Sequence, residues 1–461
     1  MFLRHTEASI AYKKLKRFWE RNMMADSRQN YDLAAALSEA ESRFADANPK
    51  SQLAFAEACK SMPGGNTRTV LFYPPFPLTL SKGEGCRLHD IDGHEYVDFQ
   101  VEQTAGIYGH SEQHILDAIR SAMEGGITLG GPTEREATLA RIFQDRFPAV
   151  DLVRFTNSGT EANLLALSTA RASTGRKHLI GFEGSYHGSV VSFGSYGNQM
   201  NVPFSWNFCT YNDVEGTRAK IQELGEELAA IIVEPMTGSG GCIQAQPNFI
   251  KMLREETQKV GAFLIFDEVM TSRLSPSGLH GKWNVKPDLV TFGKYLGGGL
   301  TFGAFGGSAK AMERFDPRRE DAFAHAGTFN NNVLSLSAAI AGLTKVYTPD
   351  QAVRLNADGD KLRERLNEVL RKAGVAGQVT GIGSMMMVHL TPELLKGPKD
   401  SDKVHSSLRG LLHLALLERG YYIARRNMIV LSLPMTEKEF DGLTEAFADA
   451  INHYIGVLPK L

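Results

Sequence analysis

The sequence has few cysteines and no apolar run long enough to cross a membrane. The four cysteines show no CxxC spacing and no clustered histidine, so the sequence predicts neither a zinc site nor a disulfide framework. They are Cys59, Cys86, Cys209 and Cys242. A span needs about 20 consecutive apolar residues, so we expect no membrane partner and no bound metal. A reducing, cytoplasmic setting is the expected location.

An excess of charge is also missing. The formal net charge is -2 over 461 residues, with 43% hydrophobic and 22% charged residues, which is ordinary for a globular protein. Nucleic-acid binders usually carry a basic surplus, so we expect no nucleic-acid partner. The chain is too long for one ordinary core and predicts a large domain with a smaller one. A deep site for a small metabolite fits this size.

The N-terminal residues 1–23 are basic but lack the apolar stretch and cleavage site of a secretory signal. We expect this segment to be an extension, either disordered or upstream of a start at Met24. An amphipathic transit peptide is the alternative.

From residue 152 onward, short apolar runs alternate with longer helical stretches. The runs are 152–155, 179–182, 231–233, 263–266 and 289–292. This alternation predicts an α/β fold with a mostly parallel sheet flanked by helices. We expect 106–345 to form this large domain, with 24–105 and 346–461 contributing the N- and C-terminal parts of a smaller α/β lobe. Functional residues should lie at the carboxyl ends of the strands.

Lys294 follows one of these runs and precedes three glycines at positions 297–299. A lysine that enters a dry crevice at this point has a lowered pKa, which makes its amine a nucleophile and a proton carrier. A lysine at the end of a strand that points into solvent is the alternative.

Two carboxylates end other apolar runs. Asp267 follows 263–266, and Glu234 follows 231–233. A buried carboxylate needs a cation. The protonated nitrogen of a cofactor that contains a pyridine ring would supply one to Asp267. A structural ion pair or a helix cap is the alternative for Asp267. We expect Glu234 to support the site without direct catalysis.

The segment 156–163, Thr-Asn-Ser-Gly-Thr-Glu-Ala-Asn, follows a strand and opens a helix. Its backbone N–H groups and hydroxyls would form an anion site suited to phosphate, although Ser and Thr also cap helices without any ligand. Tyr186 offers an aromatic face for a cofactor ring, or is an ordinary core tyrosine.

With these motifs in this order, the sequence resembles the class III aminotransferases of pyridoxal-5'-phosphate (PLP) fold type I from about residue 55 to 456. The resemblance implies a seven-stranded sheet and PLP as the cofactor. It implies that Ser158, Gly159 and Thr160 bind the phosphate, that Tyr186 and Val269 lie on opposite faces of the ring, and that Asp267 pairs with the pyridine nitrogen. Lys294 would form the Schiff base and move the proton.

The resemblance also implies a homodimer with shared active sites. Thr328, in the segment Gly-Thr-Phe-Asn at 327–330, would reach the phosphate of the neighbouring subunit. The N-terminal segment would cross to the partner as well.

Within the family, the sequence looks like the branch of the glutamate-1-semialdehyde aminomutases and the aromatic β-amino acid aminotransferases. The segment Asn-Thr-Arg-Thr-Val-Leu-Phe-Tyr at 66–73 is similar to the latter, in which the matching arginine, here Arg68, grips the substrate carboxylate. Arg426 would hold the keto acid, although the adjacent Arg425 leaves this assignment open by one position. Surface or intersubunit ion pairs are the alternative for both. The apolar pocket would come from aromatic residues, namely Phe72, Tyr73 and Tyr108.

These observations predict a two-step exchange between an amino donor and a keto-acid acceptor. The donor would be an aromatic β-amino acid such as β-phenylalanine, and the acceptor 2-oxoglutarate or pyruvate. Guanidinium groups suit this exchange because they hold carboxylates bidentately. An isomerase on the same scaffold, either a glutamate-1-semialdehyde aminomutase or an amino acid racemase, is the alternative.

Overall fold

The structure is a computed structural model that describes residues 32–194 and 198–461. The predicted extension, 1–23, lies outside the described residues. The strands are β1 (Leu80–Glu84), β2 (Arg87–Asp90), β3 (Glu95–Asp98), β4 (Leu152–Thr156), β5 (His178–Phe182), β6 (Ser205–Cys209), β7 (Leu228–Val233), β8 (Phe263–Asp267), β9 (Leu289–Gly293), β10 (Gly303–Gly307), β11 (Gln378–Ile382), β12 (Met385–His389), β13 (Tyr421–Tyr422) and β14 (Met428–Val430).

Several helices begin at capping residues that are visible in the sequence. Ser158 caps one helix by accepting from the Glu161 N–H, and Thr436 forms a capping box with Glu439 at another. The helices are α1 (Leu33–Ala47), α2 (Pro49–Ala58), α3 (Gln113–Glu124), α4 (Glu134–Arg146), α5 (Gly159–Thr174), α6 (Val214–Leu224), α7 (Pro247–Val260), α8 (Gly278–Lys282), α9 (Ala309–Met312), α10 (Val333–Ala341), α11 (Pro349–Lys372), α12 (Pro398–Asp402), α13 (Ser406–Glu418) and α14 (Glu437–His453).

A seven-stranded sheet forms the centre of the described chain, in the order β4-β10-β9-β8-β7-β5-β6. β10 runs antiparallel to both of its neighbours, and the pairs from β9 to β6 are parallel. Every residue of β7, β9 and β10 is buried, as expected of strands covered on both faces. The predicted fold class is confirmed: a mostly parallel sheet flanked by helices.

The smaller lobe joins the N-terminal and C-terminal parts of the described chain. β13, from the C-terminal part, pairs in parallel with β3, and α13 packs on α1. An antiparallel sheet, β11-β12-β14, completes the lobe. The exact domain boundaries, 105/106 and 345/346, stay predictions. No helix in the described ranges is both long and apolar enough to cross a bilayer.

One buried arginine ties the lobe to the large domain. Arg273 is fully buried; its guanidinium donates to the Thr104 carbonyl at 3.1 Å, to Ser384 Oγ at 3.1 Å and to the Leu431 carbonyl. Burial lowers its pKa to about 10. Since a buried cation is costly unless its hydrogen bonds are made, this junction holds the two parts in one arrangement.

Candidate active site

The carboxyl ends of β4, β8 and β9 meet at one edge of the central sheet. They bring together the start of α5, Asp267 and Lys294. Asn163, one turn into α5, connects them: its Nδ2 donates to Asp267 Oδ2 at 2.8 Å, and its Oδ1 accepts from Thr291 Oγ1 on β9 at 2.6 Å. The three segments that the sequence singled out therefore form one site.

Lys294 lies just beyond β9 with a positive φ of 55°, which is uncommon for a residue with a side chain. Burial, with a smaller effect from Arg426, lowers the pKa of its amine to about 8, while Glu102 and Asp267 oppose the shift. At pH 7 about a tenth of such amines are neutral. The amine is therefore more often neutral, and so more reactive as a nucleophile, than that of a solvent-exposed lysine.

Asp267 is only 4% exposed and is held by hydrogen bonds. Besides Asn163, His187 Nδ1 lies 2.7 Å from its Oδ2, and the Val269 N–H donates to its Oδ1 at 3.0 Å. In the described part of the chain, no lysine or arginine lies within 4.0 Å of this carboxylate. A buried carboxylate without a strong cationic partner suits the protonated nitrogen of a pyridine ring.

His187 and Asn163 are site residues to which the sequence analysis gave no role. The His187 carbonyl also accepts from Asn163 Nδ2 at 2.9 Å, so both residues are fixed relative to Asp267. The available signal was their position: His187 follows Tyr186, and Asn163 lies one helical turn after Gly159. A polar residue at these places is common, so the sequence alone could not assign the contacts.

The start of α5 has the shape of an anion cradle. The first N–H groups of a helix have no intrahelical acceptor and attract negative charge. Close packing demands glycine here: a Cβ on Gly159 would lie 2.8 Å from Val269 Cγ1, and one on Gly188 would lie 2.3 Å from Thr160 Oγ1. The start of the helix therefore suits a phosphate, which would lie against Ser158, Gly159 and Thr160. Val269 suits one face of the ring that carries this phosphate.

Glu234 connects the two loops beside this cradle. Its carboxylate accepts from the Gly238 N–H at 2.8 Å and from the Tyr186 N–H at 3.2 Å. Burial raises the pKa of Glu234 to about 7, and His187 opposes this rise while Asp267 adds to it. Glu234 thus positions the backbone of Tyr186, whose ring is 44% exposed and free to receive a flat ligand.

The adjacent arginines 425 and 426 point to different parts of the molecule. Arg425 Nη1 donates to the Ser406 carbonyl at 3.3 Å and packs against Gly410 of α13. Arg426 lies within electrostatic range of Lys294 and Tyr186, and burial lowers its pKa. No carboxylate of the described residues lies within 4.0 Å of the Arg426 guanidinium. Of the two, Arg426 is therefore the one available to an anion in the site.

Arg68 makes an ion pair in the same region, because its Nη1 lies 2.7 Å from Glu102 Oε1. Arg68 and Glu102 act on the Lys294 amine in opposite directions, Arg68 lowering its pKa and Glu102 raising it. The ion pair anticipated as the alternative for Arg68 therefore exists, and both of its members lie within electrostatic range of Lys294.

The three aromatic residues expected to line an apolar pocket lie in different surroundings. Phe72 is 42% exposed, and its ring lies 6.0 Å from that of Phe55. Tyr73 and Tyr108 are core residues: the Tyr73 hydroxyl accepts from the Leu78 N–H at 2.8 Å, and Tyr108 is 4% exposed. Within the described residues, neither tyrosine makes a hydrogen bond to Lys294 or Asp267.

Thr328 is exposed, in a turn that lies near the phosphate cradle. Asn330 of the same turn accepts from Asn157 Nδ2 at 3.0 Å. That Thr328 reaches the phosphate of a neighbouring subunit stays a prediction.

This fold and this set of residues define a PLP enzyme of fold type I. The family description "Aminotransferase class-III" matches residues 72–451, and the chain belongs to the class III aminotransferases. A solved transaminase with PLP bound superposes with a TM-score of 0.82 at 30% identity, over 88% of this chain and 98% of that one. PLP is the cofactor, and the enzyme is an aminotransferase.

Two groups of relatives bear on the reaction. The β-phenylalanine transaminase of Variovorax paradoxus is 49% identical over 425 residues, which covers 92% of this chain and 98% of that protein. The crystal structure of a β-phenylalanine aminotransferase from the same organism has a TM-score of 0.91, covering 93% and 100% of the two chains at 48% identity. The glutamate-1-semialdehyde 2,1-aminomutase of Methanopyrus kandleri is 34% identical over 430 residues, 90% of this chain and 100% of that protein.

Proposed function

We propose that the enzyme transfers the amino group of an aromatic β-amino acid to an α-keto acid, 2-oxoglutarate or pyruvate. The observation that carries this proposal is the pair of guanidinium groups near Lys294. Arg68 and Arg426 both lie within electrostatic range of its amine, and each is suited to a carboxylate. The 49% identity to the transaminase of Variovorax paradoxus, which acts on β-phenylalanine, supports the choice of donor.

The cofactor and the residues around it would have separate roles in the reaction. Bound PLP supplies an electron sink for the negative charge that develops on the substrate carbon. Asp267 would keep the pyridine nitrogen protonated, and the start of α5 would bind the phosphate. Lys294 would anchor the cofactor and carry the proton between substrate atoms, a role for which a pKa of about 8 is well matched to neutral pH.

The arginines would serve the two half-reactions. Arg68 would bind the carboxylate of the β-amino acid, and Arg426 that of the keto acid. Phe72, which is half exposed, would meet the apolar side chain of the substrate. We further propose a cytoplasmic homodimer in which Thr328 completes the phosphate site of the neighbouring subunit.

Initial-rate kinetics with β-phenylalanine and either keto acid test the proposal. Each substrate reacts in its own half-reaction, so double-reciprocal plots should be parallel. Intersecting plots would contradict the exchange mechanism. Lys294→Ala should abolish both turnover and the visible absorbance that the cofactor acquires on attachment, and a variant that kept both would contradict the role of Lys294.

The second candidate function is that of an aminomutase, which the 34% identity to the Methanopyrus kandleri enzyme favours. An aminomutase needs no external acceptor. The aminomutase function would be supported if the enzyme turned over glutamate-1-semialdehyde without a keto acid and gave no half-reaction with β-phenylalanine. That result would remove the basis for the roles of Arg68 and Arg426.

A further inference from the structure

Glu102 lies in the most unusual backbone segment of the described chain. Four consecutive non-glycine residues have positive φ angles: 49° at Val101, 45° at Glu102, 53° at Gln103 and 82° at Thr104. Residues with a side chain enter this left-handed region singly, because the Cβ then crowds the following carbonyl. Such conformations persist only where the surroundings enforce them, and they cluster at ligand sites.

The two ends of this turn are firmly held. Asp98 Oδ1 accepts from the N–H of Val101 at 2.9 Å, and Arg273 donates to the Thr104 carbonyl at 3.1 Å. The side chains of Val101 and Thr104 are buried, whereas that of Glu102 is 54% exposed. The turn therefore presents one carboxylate on a rigid support.

The Glu102 carboxylate pairs with Arg68, the residue that we expect to bind the substrate carboxylate. Its ion pair with Arg68 is short, at 2.7 Å, but both side chains are about half exposed, at 44% and 54%. Exposed pairs are weak because water screens them. A second carboxylate that enters the site can therefore exchange with Glu102 on the Arg68 guanidinium.

We propose that Glu102 is a built-in substitute for the substrate carboxylate, which neutralises Arg68 in the free enzyme and is displaced when the β-amino acid binds. The inference rests on the proposed role of Arg68 as a carboxylate ligand. Glu102 returns to Arg68 once the product leaves, so that Arg68 is already neutralised when Arg426 receives the keto acid. A substrate carboxylate must therefore bind Arg68 more strongly than Glu102 does. This competition makes Glu102 a specificity-determining residue.

The test measures the dissociation constant of 3-phenylpropionate, which carries the carboxylate and the aromatic ring but has no amine to react. Isothermal titration calorimetry on the PLP-loaded enzyme gives this constant directly. Glu102→Gln removes the competing charge, and an exposed pair of this kind accounts for about a two- to fivefold change, so binding should tighten by that factor. The KM for β-phenylalanine should fall similarly, with little change in kcat.

The matched control is Glu95→Gln, which removes a glutamate of similar exposure that pairs with Arg87 on β2. It should leave both constants unchanged. Glu102→Asp keeps the charge on a shorter side chain and should give partial tightening, which provides a second reading if the glutamine variant folds poorly.

The Arg68→Ala background separates the two levels of the argument. Arg68→Ala should weaken binding, and Glu102→Gln should then have no further effect. If Arg68→Ala weakens binding but Glu102→Gln does not tighten it, the displacement is overturned while the role of Arg68 stands. If Glu102→Gln tightened the binding of 3-phenylpropionate equally in the Arg68→Ala background, the displacement would also be overturned. The loss of a negative charge would then favour an anion without any competition for Arg68. No effect of Arg68→Ala would overturn both proposals.

Discussion

Gly159→Ala should separate the phosphate cradle from the rest of the site. A Cβ at this position would lie 2.8 Å from both methyl carbons of Val269 and 3.4 Å from its Cβ. Ordinary carbon–carbon contacts are about 3.5–4.0 Å. The start of α5 must therefore move by roughly 1 Å from Val269, and the groups that hold the phosphate move with it relative to Asp267 and Lys294.

Overpacking of this kind costs about 1–3 kcal/mol, which corresponds to a dissociation constant for PLP that is roughly 5- to 150-fold higher. We expect the loss in the affinity of the apo-protein for PLP, because the cradle can relax when no phosphate is bound. The assay is a titration of the apo-protein with PLP, followed by absorbance.

Val269→Ala provides the rescue. It removes both methyl carbons and leaves only the Cβ contact at 3.4 Å, so the double variant should recover most of the affinity lost on Gly159→Ala, measured against Val269→Ala alone. Gly125→Ala is the control, because its Cβ would meet only the Ala122 carbonyl oxygen at 3.7 Å. Wild-type affinity in Gly159→Ala, or no recovery in the double variant, would refute the packing argument.

Three further variants test the electrostatics and the framework. Arg426→Gln removes a cation that lowers the pKa of Lys294, so the pH at which the apo-protein half-maximally reacts with PLP should rise from about 8; an unchanged or lower midpoint would contradict this coupling. Asp267→Asn removes the partner of the pyridinium from a buried position and should reduce kcat by about 100-fold or more, since breaking a buried charge pair costs about 3–5 kcal/mol; near-normal turnover would be inconsistent with the pairing. Arg273→Met leaves three buried acceptors unpaired, at about 1–3 kcal/mol each, and should lower the free energy of unfolding by about 3 kcal/mol or more, whereas the exposed Arg371→Met should change it little in the same denaturant titration.

The sequence by itself determined the fold class and the family. The five apolar runs correspond to strands β4, β5, β7, β8 and β9. Four of them, β5, β7, β8 and β9, are almost fully buried, and a strand buried on both faces leaves a nearly continuous apolar run. β4 lies at the edge of the sheet and is only partly buried. The antiparallel strand β10 escaped this reasoning. Its residues, Gly-Ala-Phe-Gly-Gly, have low strand propensity, and only its neighbours on both sides make it a strand.

The order of motifs along the chain also placed Lys294, Asp267 and the start of α5 at one edge of the sheet, since strands that run the same way end together. Tertiary structure alone decided the contacts between residues distant in sequence. The Asn163–His187–Asp267 network joins three segments, and the Arg68–Glu102 pair depends on a turn whose backbone no propensity predicts.

Side-chain direction was decided in the same way. Tyr73 and Phe72 are adjacent, yet one is buried in the core and the other is half exposed. Arg425 and Arg426 likewise diverge, toward α13 and toward Lys294. Phe72 has an extended backbone, in which successive side chains point to opposite sides, whereas Arg425 and Arg426 lie in a turn. In both cases, which side faces the site depends on how the lobe packs on the large domain. Residue type and spacing identify the chemistry, whereas packing selects the individual side chains that perform it.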